Sequence, residues 1–298
     1  MPVLGPHQYG KAETRVVRVT REGATHHVRD LNVSVSLTGH MDEAHLSGSN
    51  KAVLPTDTVK NTVFAFAREH GIDSPEHFGI RLARHFVGSQ PTVTGARVSL
   101  EEYAWDRVPT PGEDAHSFVR DGRQVRTARV TFDDGAPRVL AGLTGLTVMN
   151  TTDSEFWGYL KDRYTTLQET RDRILATEVN ALWRHSWAQD EEPDWDGSHA
   201  AVTGHLLDAF AGSYSYSLQQ TLYQMGARVI EHRPEIDEIR LSLPNKHHFA
   251  VDLTPFSMTN EGPDGAVYLA ADRPYGLIEA TVLREGARAA IPAELTGR

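Results

Sequence analysis

Apolar and polar residues alternate with a period of two along several stretches of the chain, the spacing that puts every other side chain on one face of a strand. Residues 15–20 and 31–37 show it first, with Leu31, Val33, Val35 and Leu37 on one side, and predict a strand pair. The period then changes: Val59, Val63, Phe66 and Ala67 fall at helical spacing and predict a helix over 57–69. A second helix is expected to start at Ser74-Pro75-Glu76, where a serine N-cap precedes proline at the first helical position. Strand patterns return near 92–105 and 124–133.

The same order then repeats. Strands are expected at 138–149 and 177–187 and helices at 198–211 and 215–232, the last carrying Leu218, Leu222, Met225 and Val229. Two more strands follow at 236–253 and 266–283. Two tandem ββααββ halves imply an α+β class, an antiparallel sheet with its helices on one face. The break falls near Gly135-Ala136-Pro137, giving halves 1–135 and 136–298, and the absence of a long linker predicts one continuous sheet.

One strand pattern carries an anomaly. In LSLPNKHHFAVDL, residues 241–253, the odd positions read Leu241, Leu243, Asn245, His247, Phe249, Val251 and Leu253. An amide and an imidazole thus share the apolar face, unless Pro244 introduces a bulge and shifts the parity. A buried polar group is costly without a partner, so either the fold or a ligand must satisfy the pair.

Composition narrows the chemistry. The 298 residues carry a formal charge of −10, against the basic surface a nucleic-acid binder needs. The absence of cysteine excludes thiolate nucleophiles, disulfides and cysteine-ligated metal. No apolar run has the length of a membrane span, the N-terminal residues lack a signal-peptide pattern, and Leu295-Thr296-Gly297-Arg298 is not a peroxisomal tripeptide, so a cytoplasmic protein is expected. P-loop, GxGxxG, HExxH and GxSxG motifs are absent. The fifteen histidines include the adjacent pairs His26-His27 and His247-His248, whose side chains point to opposite strand faces and so do not converge on a metal.

The segments YGKAETRV (9–16), PTDTVKNTV (55–63), GLTVMNTTDSEFWGYLKDRYTTLQETRDRILAT (145–177), SYSLQQTLYQMG (215–226), SLPNKHHFAVDL (242–253) and DRPYGLIEATV (272–282) together resemble the urate oxidase, or uricase, family, nearly end to end and in order. The resemblance implies the tunnelling fold, with subunits assembled into homotetramers around a β-barrel tunnel and active sites shared between subunits. It implies an oxidoreductase that uses dioxygen as co-substrate, with no metal or organic cofactor, to turn urate into 5-hydroxyisourate and hydrogen peroxide. Lys11, Thr56 and His247 are then the catalytic residues. Thr56, Asp57, Phe156, Arg173, Leu218, Gln219 and Asn245 bind the substrate: Phe156 as a stacking platform, Arg173 as a clamp on the pyrimidine edge, Gln219 as a two-point contact and Leu218 through its backbone N–H. Asn245 holds the oxygen species above the ring, and Asp57 is a second anchor near the helix start. Lys11, buried beside Thr56, is expected to lose its proton more readily and to act as a base through the threonine hydroxyl.

Each residue also has a plainer reading. Thr56 and Asp57 open a helix and could simply cap it. Arg173 stands four residues after Glu169, the spacing of a helical ion pair. Gln219 suits the polar side of an amphipathic helix, Phe156 and Trp157 suit a core, and Lys11 suits a solvated surface. Two rival functions remain at this level: a tunnelling-fold enzyme on pterins or other purines, some with zinc, and a non-catalytic purine-binding tetramer. Two positions depart from relatives: Leu218, where some carry valine, and His248, where an aromatic is usual.

Overall fold

The structure, a computed structural model, describes residues 1–109, 116–133, 135–186, 193–260 and 265–295. The chain divides into two compact units, Met1–Leu143 with Gln189–Gly197, and Thr144–Ala188 with Ser198–Arg298.

In the first unit, β1 (Tyr9–Glu22) and β2 (Thr25–Gly39) form a hairpin far longer than the expected strand pair. A short helix α1 (Asp42–Leu46) precedes α2 (Thr56–Glu69) and α3 (Pro75–Ser89). Ser74 caps α3 by accepting the His77 N–H at 3.1 Å, as its sequence signature predicts. Then come β3 (Val93–Glu102), a small hairpin of β4 (Trp105–Arg107) and β5 (Phe118–Arg120), β6 (Val125–Asp133) and β7 (Ala136–Asn150), the last running on into the second unit. Leu31, Val33, Val35 and Leu37 of β2 are buried on one face, in register with Leu100, Val98 and Ala96 of β3. α2 packs on β1, and α3 packs on β3 and β6.

The second unit continues with β8 (Leu175–His185), α4 (Trp195–Gly212, whose first turn belongs to the first unit), α5 (Leu218–His232), β9 (Ile236–Pro244), β10 (His247–Ala250), β11 (Tyr268–Ala271) and β12 (Leu277–Leu283). α5 packs on β9 and β12. The hydrogen-bonded order is β1-β2-β3-β6-β7-β8-β9-β12, so the expected ββααββ order occurs twice, each time with its four long strands in sequence.

The helices approach the sheet through glycine in both units. A Cβ on Gly79 of α3 would stand 2.8 Å from Val130 Cγ2 and 2.9 Å from Leu100 Cδ1. One on Gly226 of α5 would stand 2.6 Å from Val282 Cγ2. Real contacts of that length do not occur, so each helix sits closer to its strands than any larger residue allows.

Two expected strands are corrected. The run 236–253 is two strands, interrupted at Asn245-Lys246, and 266–283 is likewise β11 and β12. β9 pairs with β12 in the long sheet, whereas β10 and β11 form a separate two-stranded ribbon. Val251 and Leu253 lie outside any strand. A single hydrophobic period spans both pieces because parity does not register which sheet a strand joins.

Candidate active site

In the first unit, the hydroxyl of Tyr9 accepts the Leu54 N–H at 2.9 Å and ties the start of β1 to the segment entering α2. Lys11, two residues on, pairs opposite Val35 and shares the helix-side face of the sheet. It is partly exposed rather than buried within the chain. Pro55 takes the N-cap position of α2, and no side chain caps the helix. The capping role considered for Thr56 and Asp57 therefore fails: both lie inside the first turn, and the Thr56 hydroxyl has no hydrogen bond among the described residues. Their backbone N–H groups belong to the first turn, which has no partner within a helix. The Asp57 carboxylate accepts from Lys60 and, at 3.0 Å, from Asn61. The Lys60 hydrogen bond holds its pKa below the usual carboxylate range, and the Lys11 charge adds a smaller pull in the same direction. Lys11, Thr56 and Asp57 are thus neighbours at one helix start.

The second unit gathers Phe156, Arg173 and Asn245 along residues 170–177. Phe156 and Thr170 exchange backbone hydrogen bonds of 2.9 and 3.0 Å, and the Arg173 N–H donates to Ser154 at 2.9 Å. Seven residues after Thr170, Thr177 bridges to Asn245; its hydroxyl donates to Pro244 at 2.9 Å, while the Lys246 N–H donates to Ala176. One segment, irregular until it enters β8 at Leu175, therefore runs past the aromatic ring, the arginine and the asparagine in turn. The Arg173 guanidinium stands 5.3 Å from the centroid of Phe156, a cation–π distance. Its Nε is buried without a partner, and burial pushes its pKa below the ordinary arginine value. The helical ion pair with Glu169 does not form, because these residues are not helical and Glu169 pairs with Lys161 at 3.1 Å instead.

Asn245 is 9 % exposed, and its carboxamide makes no hydrogen bond among the described residues. Its backbone N–H is held by Gly276 at 2.8 Å, so the side chain is fixed in place without being used. His247 opens β10 and stacks on Phe249 at 5.7 Å and 17°. Burial, then the charge of Arg173, then His248 lower the His247 pKa, which favours the neutral imidazole. The fold thus leaves both members of the anomalous polar pair unsatisfied.

Leu218 and Gln219 are the first two residues of α5. Ser217 caps the helix, accepting the Gln220 N–H at 3.2 Å, while the Gln220 side chain accepts the Tyr216 N–H at 2.9 Å. Among the described residues the N–H groups of Leu218 and Gln219 have no partner, the arrangement of a helix start open to an anion, and the exposed Gln219 amide has none either. The Leu218 side chain itself is buried.

The sequence reading missed what braces these groups. Glu155 is buried; it accepts from Trp157 Nε1 at 2.6 Å and from the Tyr214 hydroxyl at 3.0 Å, and its N–H donates to Ser215. It ties the Phe156 segment to the residues just before α5. Trp157, expected in the core, is 47 % exposed, with the Arg171 guanidinium 3.9 Å from its ring. The spacing Ser217-x-x-Gln220 is the signal that could have located the cap.

Among the described residues, a half-buried cation without an acid, a carboxamide and an imidazole without hydrogen bonds, an aromatic ring and two unpartnered N–H groups define the second unit's contribution. They suit a flat, anionic, acceptor-rich ring. Among the described residues, no group of three or more His, Cys, Asp or Glu side chains is gathered as metal ligands.

Residues 7–131 and 139–279 match the family model described as Uricase. A uricase from Arthrobacter globiformis is 51% identical over 290 residues, covering 97% of this chain and 93% of that protein. One from Dictyostelium discoideum is 38% identical over 293 residues, covering 97% and 100%. The crystal structure of uricase from Arthrobacter globiformis superposes with a TM-score of 0.92 at 50% identity, over 99% of each chain. A uricase structure from Bacillus fastidious shares the fold at 21% identity, with a TM-score of 0.81 over 95% of each chain.

Proposed function

The chain belongs to the uricase family and has its α+β tunnelling fold, and from that premise we infer that it is a urate oxidase. The observation that carries this reading is Arg173: a partly buried guanidinium with no carboxylate partner among the described residues, beside the Phe156 ring and near enough to His247 for its charge to lower that pKa. A planar fork of donors matches adjacent carbonyl and ring-nitrogen acceptors on a purine edge. Gln219 offers a donor and an acceptor together for a second edge, and Phe156 supports the ring from below, a contact worth about 1 kcal/mol.

Deprotonated urate is electron-rich, so the protein needs to bind it flat, remove a proton and place dioxygen over the ring. Lys11 acts as base through the Thr56 hydroxyl, and a neutral His247 passes the proton on. Two electrons pass from urate to dioxygen, which leaves as hydrogen peroxide; water then adds to the oxidised ring, giving 5-hydroxyisourate. Asn245 holds the oxygen species. Neither a metal nor an organic cofactor takes part in this scheme. The assembly is a homotetramer around a β-barrel tunnel, in which Lys11, Thr56 and Asp57 of one subunit complete a site with Phe156, Arg173, Leu218, Gln219, Asn245 and His247 of another. No helix among the described residues is long and apolar enough to cross a membrane. The place of action assigned here is the cytoplasm.

The test adds urate to the purified protein after exhaustive chelation, following the near-ultraviolet band of urate and the peroxide formed. Equimolar loss of urate and gain of peroxide, unchanged by chelation, is expected. Inhibition that one particular metal reverses would overturn the cofactor-free scheme, and absence of turnover with and without metals would overturn the activity itself.

A further inference from the structure

On the sheet face turned away from α2 and α3, two rows of side chains cross three strands of the first unit. Val130 and Leu100 lie against Gly79 of α3, so their neighbours Arg129 and Ser99 point the other way. The register sets Ser34, Ser99 and Arg129 in one row and Ser36, Arg97 and Thr131 in the next. Residues directly opposite share a face, and diagonal neighbours stand about 7–8 Å apart, within reach of long side chains.

Both arginines are half-buried, and neither pairs with an acid among the described residues. Arg129 makes no hydrogen bond or ion pair among the described residues, and Arg97 donates only to the neutral Gln8 carboxamide, at 2.9 Å. The nearest acidic positions on this face are Glu101 of β3, opposite Thr127 and occupied by the Tyr103 hydroxyl at 2.7 Å and by Asn32, and Asp133 of β6, diagonal to Arg97 and paired with Arg138 at 2.6 Å. Burial first, and the charge of Arg97 second, lower the pKa of Arg129. In a chain with 40 acidic and 30 basic residues, a pair of guanidinium groups left together without a carboxylate is a cost that a bound anion removes.

We propose that Arg97 and Arg129, with the hydroxyls of Ser36, Ser99 and Thr131, form a binding site for a tetrahedral inorganic oxyanion of the phosphate or sulfate type. Each guanidinium presents a planar pair of N–H donors that matches two oxygens of such an ion, and the hydroxyls complete its coordination. A halide accepts charge but offers no pair of oxygens to either fork. The site is separate from the groups assigned to urate, so its occupancy acts on stability through mass action rather than on the chemical step.

Isothermal titration of the intact protein with inorganic phosphate, at ionic strength held constant with chloride, tests the assignment. Saturable binding is expected, weakened about tenfold or more in Arg129→Gln and in Arg97→Gln, the loss of one charge-assisted pair. Sulfate should compete, and urate turnover should be unchanged in both variants. Arg129→Lys, which keeps the charge without the fork, should retain only part of the affinity. Circular dichroism checks that the variants fold, and Arg97→Gln carries the test alone if Arg129→Gln does not. Absence of saturable binding, equal affinity in wild type and folded variants, or displacement by chloride at equal concentration would overturn the proposal.

Discussion

Replacing Arg173 by alanine removes a charge-assisted clamp worth about 1.5–3 kcal/mol, so binding of an inert purine analogue should weaken by about 10- to 150-fold. Lys11→Met should instead lower kcat while the analogue still binds. Equal loss of analogue binding in both variants would contradict the assigned roles. His247 gives a second expectation. Burial and the Arg173 charge hold its folded pKa below the 6.5 of an ordinary histidine, so the neutral form needed for relay persists to lower pH. The acid limb of kcat/KM, which reports the free enzyme, should lie below that value, and Arg173→Ala should move it upward by removing a charge that opposes protonation. A limb that stays put in Arg173→Ala, or lies above 6.5 in the wild type, would remove His247 from the relay. The residues most legible in the sequence were those that broke a pattern: Asn245 and His247 are visible as polar groups in an apolar run. Glu155 broke no pattern. A glutamate is ordinarily a surface residue, and only the fold reveals that it receives Trp157 and Tyr214.

At the level of elements, Gly226 offers the sharpest contrast. A methyl group there would meet Val282 Cγ2 at 2.6 Å, and a β-branched neighbour has little rotamer freedom to yield. Overpacking costs about 1–3 kcal/mol, more than the roughly 1 kcal/mol of helix propensity that alanine gains. Gly226→Ala should therefore lower the urea midpoint. Gly88→Ala in α3, where a Cβ meets nothing within 4 Å, should leave it unchanged or raise it. Equal midpoints for the two variants would mean that α5 shifts freely on its strands. Helices α2, α3 and α5 were legible because a helical period holds over 14 or 15 residues in each, joined in α3 by a serine cap and a proline at its first position. The β4–β5 ribbon, three residues on each side, and α1 are too short to establish a period. The interruption at Asn245-Lys246 was hidden for a different reason. Its cause is tertiary: the Asn245 N–H bonds Gly276 and the Lys246 N–H bonds Ala176, and these contacts turn the chain from one sheet to the other.

For the whole molecule, the repeated ββααββ order was readable because both halves carry the same sequence of periods, although they share little literal sequence. Assembly was readable only through family resemblance, since period says nothing of partners. The β10–β11 ribbon exposes Phe249 at 50 % and Leu269 at 61 %, apolar surface that the proposed tetramer would cover. The central claim is that the Lys11–Thr56–Asp57 group of one subunit and the Arg173 group of another make one urate site. A two-fold interface repeats each contact, so every dimer holds two such sites. At urate concentrations well below the raised KM of Arg173→Ala, the Thr56→Ala and Arg173→Ala proteins should each turn over little urate, with a defect in every site. In a mixed dimer, one site collects both defects and the other collects none. Random co-assembly makes about half the dimers mixed, leaving about a quarter of all sites intact. The decisive measurement is urate turnover of the whole unfractionated pool after the two variants are co-expressed with different tags, the share of mixed oligomers being counted through the tags. Recovery of roughly a quarter of wild-type activity, absent when the preformed variants are simply combined, is the predicted result. No recovery in verified mixed oligomers would contradict the account and place the whole site within one chain.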